Sequence, residues 1–502
     1  MNIYKGILCL FICCLITFKV CSHNVYSHAQ KVNKQNNFYD MDDDYIYRLS
    51  DSGIQIIKIN NYNDMEIKST IVEEDICNGN IYLCGDKLFI SGIKNEKDKT
   101  FLNILIYDVY DRENPVKINE FSIDGNYYLF KEKDGIIHLL VQEEENKISV
   151  VSVDLNKDRI HPKMQEFNGS KINFMYLSFD DLYIVCNEDM IDKKFTTLHK
   201  FHVDKDILTY VDKISFDGNI LNEKFMNEHM DNLRILVSCD NDRNKIYFFD
   251  EDLKLINSID GIFENENINN VYFDGDMCYA SGFFKNGYFY IYDLKNNEFK
   301  EVGKLKLSSS INNIYKLSDN KFLAIGSENR GDTYKNLQSD KVYEIIKNIG
   351  IKVMLIDVCD KVNPKIFDEY LIKGKQVYSP SFMDESKLLY LRDKNILVLP
   401  LDINNYNNDV DINSAMEVSH NFYSNFILNY EKLFNGVYVF DVNDEAGIDL
   451  KFVIDNNKEF KVVDYIDIDY IKLHKNNIFI FTNDCLKVFN LEGVSLGEFK
   501  FQ

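Results

Sequence analysis

The chain has 502 residues, 45% of them hydrophobic, and its 57 basic and 80 acidic residues give a formal net charge of −23. That length accommodates either two or three ordinary domains or one repeat fold around a large core. The acidic balance argues against nucleic acid or an anionic membrane as the main partner, because binding to phosphates requires clustered cations. We interpret the acidity mainly as a source of solubility, with binding of divalent cations as the alternative.

The N-terminus has the pattern of a secretory signal peptide. Lys5 precedes the apolar run Gly6–Phe18, which is too short to span a bilayer comfortably, and small-residue cleavage sites follow at Val20–Ser22 and Ser27–Ala29. We therefore expect residues 1–29 to be a signal peptide and 30–38 a linker. This predicts a secreted or cell-surface protein, with an uncleaved membrane anchor as the alternative.

A sequence pattern recurs along the chain, in which an apolar strand ends in Asp or Asn and is followed by a turn and a second strand. Its two most similar copies are ILIYDVYDRENPVKINEF at 104–121 and VMLIDVCDKVNPKIFDEY at 353–370. The residues that end the apolar run are Asn60, Asp108, Asp154, Asp204, Asp250, Asp293, Asp357, Asp441 and Asn490. Their spacings of 48, 46, 50, 46, 43, 64, 84 and 49 residues indicate a period near 47 with two insertions, a length typical of propeller blades.

These nine marker residues are interpreted as structural. An Asp or Asn that leaves a strand can accept hydrogen bonds from backbone N–H groups two residues further on, which closes an Asx-turn. In the two clearest copies, Asn114-Pro115 and Asn363-Pro364 constrain the turn further, because Pro ends ladder pairing. We therefore do not assign the markers as catalytic carboxylates.

Each marked unit contains four strand-like runs. In the second unit these are NIYLCG, KLFISG, LNILIYDV and KINEFSI. The pattern predicts an all-β fold, a β-propeller of eight or nine four-stranded antiparallel blades closed into a ring, with short helices only in the leader and the insertions. Because the first unit is compressed, we expect a strand to be exchanged between the first and last units.

The two long spacings are insertions within a single propeller domain spanning residues 39–502. The seventh unit inserts residues 327–350 between its second and third strands, where Ser339 is an N-cap candidate for a short helix, Asp340–Asn348. The eighth unit inserts residues 404–434 at the same type of connection. Equivalent connections of neighbouring blades emerge on one face, so the sequence predicts adjacent loops suited to binding. Drift in exposed loops, or a cover over a core patch, is the alternative.

Cysteine and histidine patterns point to no catalytic or metal site. Seven cysteines follow the leader at irregular spacing, mostly in apolar strand-like runs, which favours free core thiols over a disulfide framework. His199 and His202 lie on one predicted strand, where residues three apart point to opposite faces. We predict no catalytic, cofactor-binding or metal-ligating residue.

Calcium is the one cofactor with any local pattern. Asp240, Asp242 and Glu251 imitate the beginning and end of a calcium-binding loop. Lys245, however, occupies the turn position that requires glycine, and the next residues have the pattern of a strand. A polar hairpin tip is therefore the preferred interpretation.

Several blocks resemble a family of bacterial and archaeal secreted β-propeller proteins that is distantly related to WD40 repeats. The longest is the stretch 350–403, and Phe225–Ser238, Tyr272–Leu294 and Asn435–Val442 are also similar to blocks of that family. The likeness extends from about residue 38 to the C-terminus. It implies a secreted propeller, and it implies neither a known reaction nor any catalytic residue.

Two functions are therefore compatible with the sequence, because propellers host both binding proteins and enzymes. The preferred one is a noncatalytic, monomeric scaffold that binds a protein or polysaccharide through the face bearing the insertions. The alternative is a hydrolase or lyase of an extracellular polymer that uses acidic residues or calcium at a central channel. No nucleic acid partner is expected, and contact with a membrane is expected only through an uncleaved leader.

Overall fold

The computed structural model describes residues 38–501, apart from 51–52, 74–76, 97–98, 145, 191–192, 240–242, 264–265, 284–286, 336–341, 375, 407–429 and 456–467. Within these ranges the chain forms 37 β-strands arranged in nine sheets. We call each sheet a blade and number the blades in chain order. The leader, residues 1–29, and most of the linker lie outside the described residues.

The strands of blades 1–3 are β1 (Tyr39–Met41), β2 (Tyr45–Ser50), β3 (Gly53–Asn61), β4 (Asp64–Ile71), β5 (Cys77–Cys84), β6 (Lys87–Glu96), β7 (Lys99–Asp108), β8 (Val116–Asp124), β9 (Asn126–Lys133), β10 (Ile136–Glu144), β11 (Lys147–Asp154) and β12 (Lys163–Asn168). Those of blades 4–6 are β13 (Lys171–Leu177), β14 (Asp181–Met190), β15 (Lys193–Asp204), β16 (Ile207–Asp217), β17 (Met226–His229), β18 (Asn232–Ser238), β19 (Asn244–Phe249), β20 (Leu255–Ile262), β21 (Asn267–Asp274), β22 (Met277–Phe283), β23 (Tyr288–Asp293) and β24 (Lys300–Lys306). Those of blades 7–9 are β25 (Asn313–Lys316), β26 (Lys321–Lys335), β27 (Val342–Asp357), β28 (Lys365–Lys373), β29 (Gln376–Tyr378), β30 (Leu389–Leu391), β31 (Ile396–Tyr406), β32 (Tyr430–Asn443), β33 (Gly447–Asp455), β34 (Ile468–His474), β35 (Asn477–Thr482), β36 (Cys485–Asn490) and β37 (Ser495–Lys500).

Every blade is built from strands that follow one another in the chain. The prediction of an all-β fold made of four-stranded antiparallel propeller blades is confirmed, and nine is the number of blades in the described residues. The expected exchange of a strand between the first and last units is wrong. Blade 1 is complete with β1–β4 and blade 9 with β34–β37. The fourth strand of the compressed first unit is the short strand β1, which pairs with β2.

Position within a blade decides how a strand is buried. In β7, the third strand of blade 2, every residue from Leu102 to Tyr107 is buried. In β8, the outer strand of the same blade, no residue is buried, exposed and half-buried positions alternate from Ile118 on, and Lys117 and Glu120 are exposed. Charged side chains on an outer strand discourage edge-to-edge pairing with other chains. The third strand therefore stabilises the core, and the outer strand keeps the blade soluble.

The described chain forms two compact units. The first comprises the residues up to Ile57 together with Ile67–Glu188 and Thr197–Lys213, and the second comprises Lys58–Glu66, Asp189–Thr196 and the residues from Ile214 onward. Within each unit, apolar clusters form where consecutive blades face each other. In the first unit, for example, Ile104 and Ile106 of blade 2 lie in one cluster with Leu139 and Val141 of blade 3. Burying one such side chain contributes about 1.5–3 kcal/mol, so the core of a unit depends on blade-to-blade contacts.

Helical structure is limited to single turns. The described residues contain five 3-10 turns of three residues each, at Glu223–Phe225, Lys295–Asn297, Pro380–Phe382, Glu385–Lys387 and Arg392–Lys394. These lie in connections between strands, outside the described parts of both insertions, and residues 336–341 and 407–429 of the insertions lie outside the described residues. The helix predicted at Asp340–Asn348 is wrong, because residues from Val342 on belong to β27 and pair with β26. No helix among the described residues has the length and apolar character needed to cross a membrane.

Candidate functional site

Six of the nine marker residues close the turn that follows their strand. In each case Oδ1 accepts a hydrogen bond from the backbone N–H two residues further on, at 2.8–3.1 Å. The six are Asp108, Asp154, Asp250, Asp293, Asp357 and Asn490. This bond satisfies a backbone donor where the ladder ends, so in this role the side chain organises the turn.

The other three markers differ. In blade 1 the turn acceptor is Asn61, whose Oδ1 binds the N–H of Asn63 at 3.0 Å, and Asn60 instead donates to Glu66. In blade 8 the acceptor is Asn443, two residues beyond Asp441. At Asp204 only two residues separate β15 from β16, and Lys205 has a positive φ of 55°. The strand in blades 1 and 8 thus continues one or two residues past the position that the sequence marked.

Substitution of Asp108 tests the turn bond. Asp108→Ala should lower the free energy of unfolding by about 1 kcal/mol, because the N–H of Tyr110 loses its acceptor. Asp108→Asn, which keeps an acceptor oxygen, should cost less than about 0.5 kcal/mol. Urea denaturation of both variants measures the difference, and equal losses for the two would argue against an Asx-turn.

The insertion in blade 7 forms a long two-stranded hairpin. β26 has 15 residues and β27 has 16, whereas β25 pairs only with Phe322–Ile325 and β28 only with residues from Gly350 onward. Seven cross-strand pairs, from Asn329↔Asn348 to Lys335↔Val342, therefore extend beyond the four-stranded sheet. We call residues 329–335 and 342–348 the ribbon. Seven pairs at the usual rise correspond to a projection of roughly 20 Å.

The insertion in blade 8 begins and ends in the same way. Two pairs, Asn405↔Glu431 and Tyr406↔Tyr430, extend β31 and β32 beyond both neighbouring strands, because β29 pairs as far as Asn404 and β33 as far as Gly436. Residues 407–429 of this insertion lie outside the described residues. Both insertions are therefore at connections between second and third strands, as the spacing predicted.

The two insertion-bearing blades are neighbours in the second unit. Gly374 donates its N–H to the carbonyl of Ile349 at 3.1 Å, and Val377 donates to Oδ1 of Asn348 at 3.2 Å. Beneath these bonds, Ile351 of β27 lies in one apolar cluster with Leu401 of β31. The bases of the two hairpins consequently lie side by side.

The first strand of blade 8 is interrupted. β29 pairs with Asp402–Asn404 and β30 pairs with Ile396–Val398, and ten residues, 379–388, separate these two strands instead of continuing the ladder. Pro400 stands opposite the gap, and its carbonyl accepts a hydrogen bond from Oγ of buried Ser379 at 2.7 Å. A proline cannot donate to a ladder, so a strand paired there would lack a bond. Pro400 thus favours an interruption of the neighbouring strand, and we call the interrupting residues 379–388 the detour.

The segment 379–388 places the carboxylate of Glu385 in contact with residues of two other blades. Oε1 of Glu385 accepts from Nδ2 of Asn313, the first residue of blade 7, at 2.6 Å, and also pairs with Lys224, which precedes blade 5. Burial raises the pKa of Tyr315, and the charge of Glu385 adds to that rise. Blades 5, 7 and 8 are thereby joined through one side chain. The sequence analysis missed this residue, since nothing local distinguishes Glu385; only Pro400 within a strand-like run signals the detour.

Histidines and cysteines occupy structural positions. His199 is buried, whereas His202 is exposed and Nδ1 lies 3.2 Å from Asp181. Six described cysteines form no disulfide: Cys186, Cys278 and Cys485, which are buried, Cys84 and Cys239, which are half-buried, and Cys359, which is exposed; the side chain of Cys77 lies outside the described part. No three of the described His, Cys, Asp and Glu side chains are placed so that they could hold a metal ion. The calcium-like pattern at Asp240 and Asp242 lies outside the described residues.

Comparison with known proteins gives distant matches. An uncharacterized protein of Archaeoglobus fulgidus is 23% identical over 285 residues, which are 56% of this chain and 43% of that protein. The chain thus spans less than half of the length of this curated relative. Among solved structures, Sqt1 of Saccharomyces cerevisiae superimposes with a TM-score of 0.41 at 10% identity, covering 83% of this chain and 93% of that one. Sqt1 of Chaetomium thermophilum gives a TM-score of 0.40 at 10% identity, with 83% and 92% covered.

A family model covers nearly the whole described chain. The model of the beta propeller domain matches residues 36–166 and 136–494. These ranges include all nine blades except β37, the last strand of blade 9. The chain therefore belongs to the beta propeller domain family.

Proposed function

We propose that the chain is a noncatalytic binding scaffold, secreted or held at the cell surface, that binds a protein or polysaccharide ligand on the hairpins of blades 7 and 8. The observation that carries the proposal is the ribbon. In the seven blades other than 7 and 8, two to five residues separate the second strand from the third. Blade 7 extends this hairpin by seven pairs beyond the sheet, whereas among the described residues blades 2 and 8 each extend it by two. Blade 8 is the neighbour of blade 7 and carries the second long insertion at the same connection.

The geometry of the ribbon favours an interaction. A two-stranded hairpin is marginally stable in water, and its outer edges leave backbone N–H and C=O groups unpaired. Binding surfaces are often carried by loops that a rigid scaffold holds in place. Here the scaffold is the apolar cluster shared by blades 7 and 8, which fixes the bases of both hairpins. The leader-like N-terminus supports an extracellular site of action.

Excision of the ribbon is expected to abolish ligand capture without unfolding the protein. Because Asn329 and Asn348 are cross-strand partners, residues 330–347 can be replaced by Asn-Gly, which closes a two-residue hairpin. In blade 8 the corresponding change replaces 405–431 and joins Asn404 to Lys432. These bounds spare Phe434, which is 8% exposed and lies in the apolar cluster.

The matched control shortens an equivalent connection elsewhere. Replacing residues 95–100 of blade 2 by Asn-Gly joins Lys94 to Phe101, which are also partners. Each protein is immobilised and used to capture material from the surface of the native culture, and thermal unfolding checks that it folds. We expect the control to retain the captured partner and both blade 7 and blade 8 variants to lose it, at least tenfold. Equal capture by all four proteins would remove the hairpins from the proposal.

A further inference from the structure

The ribbon leaves blade 7 at a β-bulge. Glu328 is opposite Gly350 and Asn329 is opposite Asn348, so Ile349 is an extra residue on β27. A bulge of this kind bends the strand and increases its twist. It coincides with the end of β28, whose pairing with β27 reaches only to Gly350. The direction of the ribbon is therefore set at this one point.

A buried ion pair lies beside the bulge. Nζ of Lys352 is 2.9 Å from Oε2 of Glu328 and 3.3 Å from Oε2 of Glu369, and the Lys352 and Glu328 side chains are only 9% and 11% exposed. Ser308, which precedes blade 7, accepts from Lys352 at 3.0 Å and donates to Glu328 at 3.0 Å. Burial alone would lower the pKa of Lys352, but its hydrogen bonds and attraction to Glu328 and Glu369 together outweigh burial and raise it. Both side chains of the pair thus have hydrogen-bond partners.

Blade 8 secures the other strand of the bulge. Oδ1 of Asn348 accepts from the N–H of Val377, and the carbonyl of Ile349 accepts from Gly374. Nδ2 of Asn348 also donates to the carbonyl of Gly350 at 3.3 Å. The base of the ribbon is therefore held on two sides, by Ser308 through Glu328 and Lys352 and by Val377 of blade 8 through Asn348.

A buried ion pair such as Glu328–Lys352 is expected to fix the direction of the ribbon more than it stabilises the fold. Replacing a buried ion pair by apolar residues of similar size is often neutral or stabilising, whereas removing one partner leaves a buried charge unpaired. We infer that Glu328, Lys352 and Asn348 are positioning residues that hold the ribbon in the one direction in which it meets its ligand. The inference rests on the proposed function for its binding readout, but the mobility of the ribbon tests it independently.

The test compares a double variant with a matched one. Glu328→Leu combined with Lys352→Met removes the pair and keeps apolar bulk, so the melting temperature should stay within a few degrees of the parent. The control, Lys321→Met, removes the ion pair that the same strand makes with Asp444 at 3.2 Å, at the end of β26 away from the ribbon. Amide hydrogen exchange is followed in the ribbon and in Leu323–Ile325 within the blade.

We expect exchange in the ribbon to accelerate at least tenfold in the double variant, with no change in Leu323–Ile325 and no change anywhere in the ribbon of Lys321→Met. Capture of the partner should fall in parallel. Exchange that accelerates throughout blade 7 would assign the pair a merely structural role and overturn the inference. Unchanged exchange in the ribbon would overturn it too, even if capture were lost. If no variant and no parent captures a partner, the exchange result still decides the inference while the proposed function fails.

Discussion

Replacing Gly497 by alanine should lower the free energy of unfolding of the second unit by about 3 kcal/mol or more, at the upper end of what overpacking costs. A Cβ built on Gly497 lies 1.7 Å from the carbonyl oxygen of Tyr62 and 2.3 Å from its carbonyl carbon. Both are backbone atoms, so no rotation of a side chain can relieve the clash. The turn between β3 and β4, which belongs to this unit, would have to move away from blade 9.

Tyr62 of that turn also makes side-chain contacts with blade 9. Oη of Tyr62 accepts from Nδ2 of Asn477 at 2.8 Å, and its ring meets Phe479 edge-on with centroids 5.9 Å apart. The same contact recurs between blades 6 and 7, where a Cβ on Gly303 would lie 2.2 Å from the carbonyl oxygen of Lys361. In both places a glycine in an outer strand receives the backbone of a turn between third and fourth strands. The repetition indicates that the absent side chain is a requirement of blade docking.

Urea denaturation followed by tyrosine fluorescence measures the effect, since the chain has 32 Tyr and no Trp. Gly85→Ala is the control, because Gly85 has a φ of +59° and nothing within 4 Å of a Cβ. Its cost is conformational and should be about 1 kcal/mol. An unfolding midpoint of Gly497→Ala equal to that of the parent would show that the turn does not rest on blade 9.

The number of blades is predictable from sequence because its signal is local. Each copy of the sequence pattern joins an apolar strand to a turn residue. In copies such as those of Asp108 and Asp357, this residue accepts a hydrogen bond from the backbone N–H two positions further on. No long-range contact is needed to recognise it. The marker fails at Asn60 and Asp441, where the strand continues and a later Asn closes the turn.

The structural features that could not be predicted from the sequence depend on contacts between residues far apart in the chain. The helix predicted at Asp340–Asn348 is wrong because a single short helix is marginal in water, whereas strand pairing with Asn329–Lys335 extends a sheet that already exists. Glu385 bonds to Lys224, which is 161 residues away, and Gly497 meets Tyr62 from the opposite end of the chain. Neither partner is visible in a local pattern. Both hairpin insertions, in contrast, are visible as interruptions of the period.

Lowering the pH below 6.5 should progressively destabilise the first unit. His138 and His199 are each 1% exposed, and burial lowers the pKa of both to about 4, with Lys133 adding to the effect on His138 and Lys213 to that on His199. Above about pH 6.5 both histidines are neutral in the folded and unfolded states alike. Between pH 6.5 and 4 the unfolded chain binds protons that the folded chain does not. The free energy of unfolding should therefore fall as pH falls, by about 1.4 kcal/mol per unit for each histidine, and the loss should level off below about pH 4.

His199→Phe isolates one of the two contributions, because the ring of His199 packs 4.5 Å from that of Phe167 and another aromatic ring can occupy its place. Within the described part of the chain its side chain makes one long polar contact, 3.4 Å from Nδ1 to the hydroxyl of Tyr210, so little is lost at neutral pH. Carboxylates also lose their ion pairs in acid, so the informative quantity is the difference in slope between parent and variant. We expect the free energy of unfolding of the variant to be about 1.4 kcal/mol less pH-sensitive per unit between pH 6.5 and 4. Parallel curves for parent and His199→Phe would mean that His199 takes up its proton without opening the unit, and that its burial does not couple folding to pH.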